Sequence, residues 1–208
     1  DMTTGSPWKL ILQFSIPTAL GLIFQQLYSM ADTVIVGRTL GVDALAAVGS
    51  TGSLSFLIIG FMSGVCSGFS IPVSQYFGAK NKQELQRAVA TGAWVALILG
   101  AIITVVTVAG TEWIMRLMQT PQNIFVDACD YIRVIFLGTL ATVLYNLLSS
   151  YLRALGDSKT PLKAMILASI TNIILDCIAV FCLSMGIAGA AYATVISQAI
   201  SAILTMLL

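Results

Sequence analysis

Apolar residues run through this chain in six long stretches, separated by short polar turns, and the pattern within the stretches is helical rather than alternating. The expected spans are 9–37, 44–77, 88–110, 128–152, 162–185 and 188–208, each long enough to cross a hydrocarbon core of about 30 Å. The polar exceptions inside them are ordered. Thr18, Gly21, Gln25, Ser29 and Asp32 recur every three or four residues in the first stretch, as do Thr139, Thr142, Asn146 and Ser149 in the fourth and Thr194, Gln198 and Ser201 in the sixth. One small or polar stripe on an otherwise apolar helix faces protein or water. The third stretch has only scattered threonines and is expected to face lipid. Gly60, Gly64 and Gly68 make a ridge that lets a neighbouring helix approach the second stretch closely. Pro17 removes one backbone hydrogen bond and is expected to bend the first helix near its start.

Composition agrees with this pattern. Of the 208 residues 58% are hydrophobic and 9% charged, against about 25% charged in a soluble domain. The fold class is therefore an all-α polytopic membrane protein, a six-helix transmembrane bundle embedded in the lipid bilayer. The net charge of +1 and the lack of a basic tract give no reason to expect nucleic acid. No histidine is present, and Cys66, Cys129, Cys177 and Cys182 have no metal-ligand spacing, so they read as small apolar side chains. With no Ser/Lys or paired-Asp motif either, an enzyme is not expected and no cofactor is implied.

Two acidic residues inside apolar stretches carry the candidate chemistry. Asp176 lies in the middle of the fifth stretch, with Asn172 one turn before it on the same helical face, and Asp32 ends the polar stripe of the first. Even a mild insertion scale charges about 2.5–3.5 kcal/mol for Asp at mid-helix. No basic residue lies in the membrane core to pair them, so these carboxyls must be protonated, bound to a cation, or wet. Asn172 and Thr194 supply neutral oxygens, a donor set suited to a hard cation such as Na⁺ at Asp176 or to a protonated network. For Gln25, Asn146 and Gln198, interhelical hydrogen bonding weighs as much as substrate contact.

Five segments together resemble the multidrug and toxic compound extrusion (MATE) family: Gln25-Gln-Leu-Tyr-Ser-Met-Ala-Asp-Thr33, Gly41-Val-Asp-Ala-Leu-Ala-Ala-Val-Gly49, Arg153-Ala-Leu-Gly-Asp-Ser-Lys-Thr-Pro161, Asn172-Ile-Ile-Leu-Asp176 and Gly186-Ile-Ala-Gly-Ala-Ala-Tyr-Ala-Thr194. The resemblance implies twelve helices in two six-helix lobes, of which residues 1–208 are the N-terminal one, and a second lobe as partner. It implies antiport of cationic or amphiphilic drugs against H⁺ or Na⁺, with Asp32, Asn172, Asp176 and Thr194 as the coupling site. Pro17 matches the family's first-helix proline and Gln25, Ser29, Asn146 and Gln198 are cavity candidates. On this reading the cavity of the lobe holds Asp32 and Asp176, so that a bound cation competes with a cationic drug. Two alternatives compete with it. A lipid-linked oligosaccharide flippase of the same superfamily needs arginines for the pyrophosphate, and the inward stripes contain none; a non-transporting membrane scaffold has no need of Asp176.

Lys and Arg favour one side. Lys9, Lys80, Lys82, Arg87, Arg153, Lys159 and Lys163 fall together, opposite Arg38 and Arg116, with Arg133 just inside the fourth stretch, which places both termini in the cytoplasm under a cytoplasmic (inner) membrane. A cysteine replacing Gln83 is therefore expected to resist an impermeant thiol reagent added outside intact cells, and its labelling would overturn the topology.

Overall fold

A computed structural model describes residues 6–183 and 185–207. The described residues form seven α-helices: α1 (Pro7–Thr39), α2 (Val42–Gly78), α3 (Lys82–Leu117), α4 (Phe125–Leu137), α5 (Thr139–Ala154), α6 (Lys159–Cys177) and α7 (Gly186–Leu207), with one π-helical turn, Ile178–Cys182, continuing α6. Among the described residues five helices, counting α6 with its π turn, are long and apolar enough to cross a membrane; α4 and α5 taken together make a sixth, broken span. The all-α bundle expected from the sequence is thus present.

The helices overrun the apolar stretches at their ends because hydropathy marks the hydrocarbon core and capping marks the helix. α3 begins six residues before the expected 88, where the Asn81 side chain accepts the Glu84 amide N–H at 3.2 Å and Glu84 pairs with Arg87 at 2.9 Å. α6 begins under Asp157. Its Oδ1 accepts the Lys159 and Thr160 amides at 2.9 and 3.1 Å and its Oδ2 accepts the Thr160 hydroxyl at 2.6 Å. Partial burial works against ionisation there, but the Thr160 hydroxyl, the two amides and the charge of Lys163 together hold the Asp157 carboxyl below its ordinary value of 3.8.

The fourth stretch is not the single helix 128–152 expected from its hydropathy. It bends by 44° at Gly138, between α4 and α5. Gly138 lies against α7: a Cβ on it would collide with the Val195 side chain. The missing side chain lets α7 seat in the elbow, and the bend carries α4 and α5 along different neighbours. α4 packs with Ile187, Ala190 and Ala191 of α7 in the larger apolar core, whereas Val143, Leu147 and Tyr151 of α5 pack with Met62, Cys66 and Ala96 in the second.

The glycine ridge of α2 behaves differently from its expected role. A Cβ at Gly60, Gly64 or Gly68 would meet nothing within 4 Å among the described residues. These glycines lie on an exposed face of α2, and the packing contacts to α3 and α5 come instead from Met62, Cys66 and Val73 on the opposite side. α3 does turn an apolar face outward, with Trp94, Ile98, Ile102, Val105 and Trp113 exposed, while Gly92, Ala96, Gly100, Thr107 and Thr111 are buried.

Gly138→Ala is expected to overpack the α5–α7 elbow and to lower thermal stability by about 1–3 kcal/mol, and Val195→Ala in that background to recover part of it; an unchanged melting temperature would show that the elbow is not close-packed. Asp157→Ala is expected to cost about 1 kcal/mol near neutral pH through loss of the α6 cap. Because the folded state holds this carboxyl below 3.8, its contribution is present above that pH and fades as the pH falls further. The gap between variant and wild type in a pH series of melting curves should therefore close on acidification.

Candidate functional site

Asp32, Asn172 and Asp176 are carried to one place by the packing of α6 between α1 and α7. Asn172 and Asp176, four residues apart, both lie on the buried face of α6 at 1% and 0% exposure. Asp32 comes from α1 at 7%. Thr194, half-buried on α7, closes the group: the Asn172 amide donates to the Thr194 hydroxyl at 3.5 Å, and that hydroxyl in turn donates to the Ala190 carbonyl at 3.1 Å. Asp32 and Asp176 lie within Coulombic reach of one another, and both reach Tyr131 of α4. Three of the four expected coupling residues are thus deeply buried, and the fourth bonds to one of them.

The acceptors in this group have little to accept from. Asp32 Oδ1, Asn172 Oδ1 and both oxygens of Asp176 are buried without a hydrogen-bond partner among the described residues. Unpaired buried carboxyl oxygens cost several kcal/mol if ionised, so the cluster needs a proton, a cation or water to complete it. Carboxyl, amide and hydroxyl oxygens are hard donors and fit Na⁺ as well as H⁺. No cluster of three His, Cys, Asp or Glu side chains that could hold a transition metal occurs among the described residues.

A separate cavity of about 530 Å³ opens between α1, α2, α5 and α6, toward the end of the bundle that carries Arg153 and Ser158. Pro17, Gln25 and Ser29 line it from α1 and Asn146 from α5, so the polar stripe of α1 does face the helix bearing Asp176 in part, through Leu162 and Met165. Asn146 donates to the Thr142 carbonyl at 2.9 Å and accepts the Ser63 hydroxyl at 3.4 Å. Gln198 is not in the lining. Its amide instead donates to the hydroxyl of Tyr28, a lining residue of α1, at 3.2 Å, and so ties α7 to the cavity wall.

Two expectations change here. Neither Asp32 nor Asp176 lines the cavity: the bundle closes around the carboxyls and opens around the stripe one to four turns away along α1, because Asp32 meets the α6–α7 contact while Gln25 and Ser29 remain exposed. Also, the cavity is not free of arginine. Arg153 belongs to a turn-rich loop in the sequence, but α5 extends through Ala154 and carries its side chain into the lining. Tyr28 and Tyr131 were not singled out from the sequence; a tyrosine four residues before Asp32 was the available signal.

The MatE family model matches residues 17–178. The chain is 38% identical over 196 residues to "Probable multidrug resistance protein YoeA" of Bacillus subtilis, covering 92% of this chain and 42% of that protein. It is 26% identical to "Probable multidrug resistance protein NorM" of Thermotoga maritima, covering 93% and 42%. Among solved structures, "Crystal structure of MATE in the bent conformation" superposes with a TM-score of 0.90 at 33% identity, over 97% of this chain and 45% of that one. The chain therefore spans less than half the length of the relatives it matches.

Proposed function

Because this chain belongs to the MatE family, we propose that it is the N-terminal lobe of a secondary active multidrug exporter, a transporter rather than an enzyme, coupled to H⁺ or Na⁺. The observation that carries the reading is the buried group Asp32, Asn172 and Asp176 with its unpartnered acceptors. A carboxyl that is stable only when neutralised, and that lies beside an opening cavity, is suited to bind a cation in one conformation and release it in another. Coupling needs a second lobe to move against, and the share of the relatives that this chain covers is consistent with such a partner. The exposed glycines of α2 are a surface on which it would pack closely.

Cationic and amphiphilic drugs are the substrate class we assign, in a multi-pass arrangement in the cytoplasmic membrane with the N-terminus inside. The names of the relatives, multidrug resistance proteins, support it. The flippase reading gains one arginine from the structure, but a single guanidinium at one end of a 530 Å³ cavity is a poor match for a pyrophosphate.

In the complete protein, Asp176→Asn is expected to abolish drug resistance while leaving the amount of protein in the membrane nearly unchanged. Asn keeps the volume and cannot take up a proton, and it removes the cost of burying a charge. Unimpaired efflux, or loss of the protein from the membrane, would count against a coupling role.

A further inference from the structure

Among the described residues, Arg153 is the only charged side chain lining the 530 Å³ cavity. It stands on the last turn of α5, partly buried, and its Nε–H is buried without a hydrogen-bond partner among the described residues. A buried guanidinium N–H left unpaired is costly, and arginine is the side chain best suited to hold a carboxylate, phosphate or sulfonate in a fork. The nearest acid in sequence does not satisfy it. Asp157, one turn further on, spends Oδ1 on the Lys159 and Thr160 amides and Oδ2 on the Thr160 hydroxyl, and lies in the field of Lys163. Among the described residues Arg153 forms no ion pair; the pairs present are Arg87 with Glu84 and Arg133 with Glu112.

The rest of the lining explains what an anion here would be attached to. Phe56 and Ile59 of α2 and Leu162 and Met165 of α6 offer apolar surface, and Gln25 and Asn146 offer neutral polar groups further along. The volume falls in the range of drug-sized sites, about 300–1,000 Å³. We propose that this cavity binds an amphiphile by an anionic head, held by Arg153, with its apolar body lying along Phe56, Ile59 and Met165. The site is distinct from the carboxyl cluster, of which no member lines it. The source of the head is either a free amphiphile or an anionic lipid of the inner leaflet. The proposal rests on the exporter reading only for its setting in a membrane, since it is read by binding and not by transport.

The test is equilibrium binding of radiolabelled dodecyl phosphate to the complete transporter in a neutral detergent. Saturable binding is expected, displaced at much lower concentration by dodecyl sulfate than by dodecyltrimethylammonium, which has the same tail and the opposite charge. Arg153→Gln is expected to weaken it by about tenfold or more and Arg153→Lys by less, since lysine keeps the charge and loses the fork. Repeating the measurement in nanodiscs with and without phosphatidylglycerol separates the sources: displacement by that lipid assigns the site to a headgroup, and persistence assigns it to a free amphiphile. Equal displacement by the cation overturns the proposal without any variant, and so does unchanged affinity in a folded Arg153→Gln protein. Loss of efflux in Asp176→Asn leaves the site standing, and failure of dodecyl phosphate to bind leaves the exporter reading untouched.

Discussion

Asp176 has no exposed surface and no partner for either oxygen, and the arrangement of α1, α6 and α7 follows from having to house it. A carboxyl cannot be ionised alone in such a place at any reasonable cost. No ion pair to an arginine or a lysine relieves it among the described residues, and the charge that acts on it is that of a second carboxyl, Asp32. What remains is a proton, a cation or water. Asn172 and Thr194 are fixed beside it by their own hydrogen bonds and leave the Asn172 carbonyl oxygen turned to no donor. The site is organised by its deficit of donors.

That deficit is maintained by close helix packing elsewhere. α7 reaches α5 through the elbow at Gly138, and the Ser201 hydroxyl of α7 donates to the Ala164 carbonyl of α6 at 3.3 Å, an interhelical bond on the side of the bundle away from the carboxyls. Small residues of α7, among them Ala190, Ala191 and Ala193, are buried and let the helices come together without a large side chain between them. The π turn after Cys177 follows Asp176 by one residue, and single π turns in transmembrane helices recur near functional sites because they disturb the backbone ladder.

Most of this site was legible in the sequence because membrane burial makes polar residues expensive and therefore informative. Asp32, Asn172 and Asp176 stood out against apolar flanks, and helical periodicity put the last two on one face. Periodicity also found the cavity side of α1. It failed where the deciding fact was three-dimensional. A glycine ridge looks the same whether it meets a helix of its own lobe or an open face, so Gly60, Gly64 and Gly68 could not be assigned a partner from spacing. The break at Gly138 carries no proline and sits in an even hydropathy profile; only the approach of Val195 gives it a reason. Arg153 was counted as a loop charge for topology, because hydropathy ends before α5 does.

On the proposed exporter reading, the separation of carboxyls from cavity changes what coupling has to mean. If drug and cation met at the same oxygens, exchange would be direct competition, and no moving part would be required. Here the cavity lining stops at Ser29 on α1, and the buried cluster begins at Asp32 on the same helix, with Tyr28 of the lining tied to Gln198 of α7. Two sites that share a helix and no ligand atoms influence each other only through a change in that helix or its packing, and the influence is reciprocal. α1 is built for such a change: Pro17 lies inside it and in the cavity wall, where it removes a backbone hydrogen bond, and more than half of the helix is exposed on at least one face. A cation at Asp32 and Asp176 would fix the end of α1 packed against α6, while an occupant of the cavity would act on the end beyond Pro17. Linkage between the two is then a matter of which shape of α1 each prefers, and any second lobe would read that shape rather than the charge.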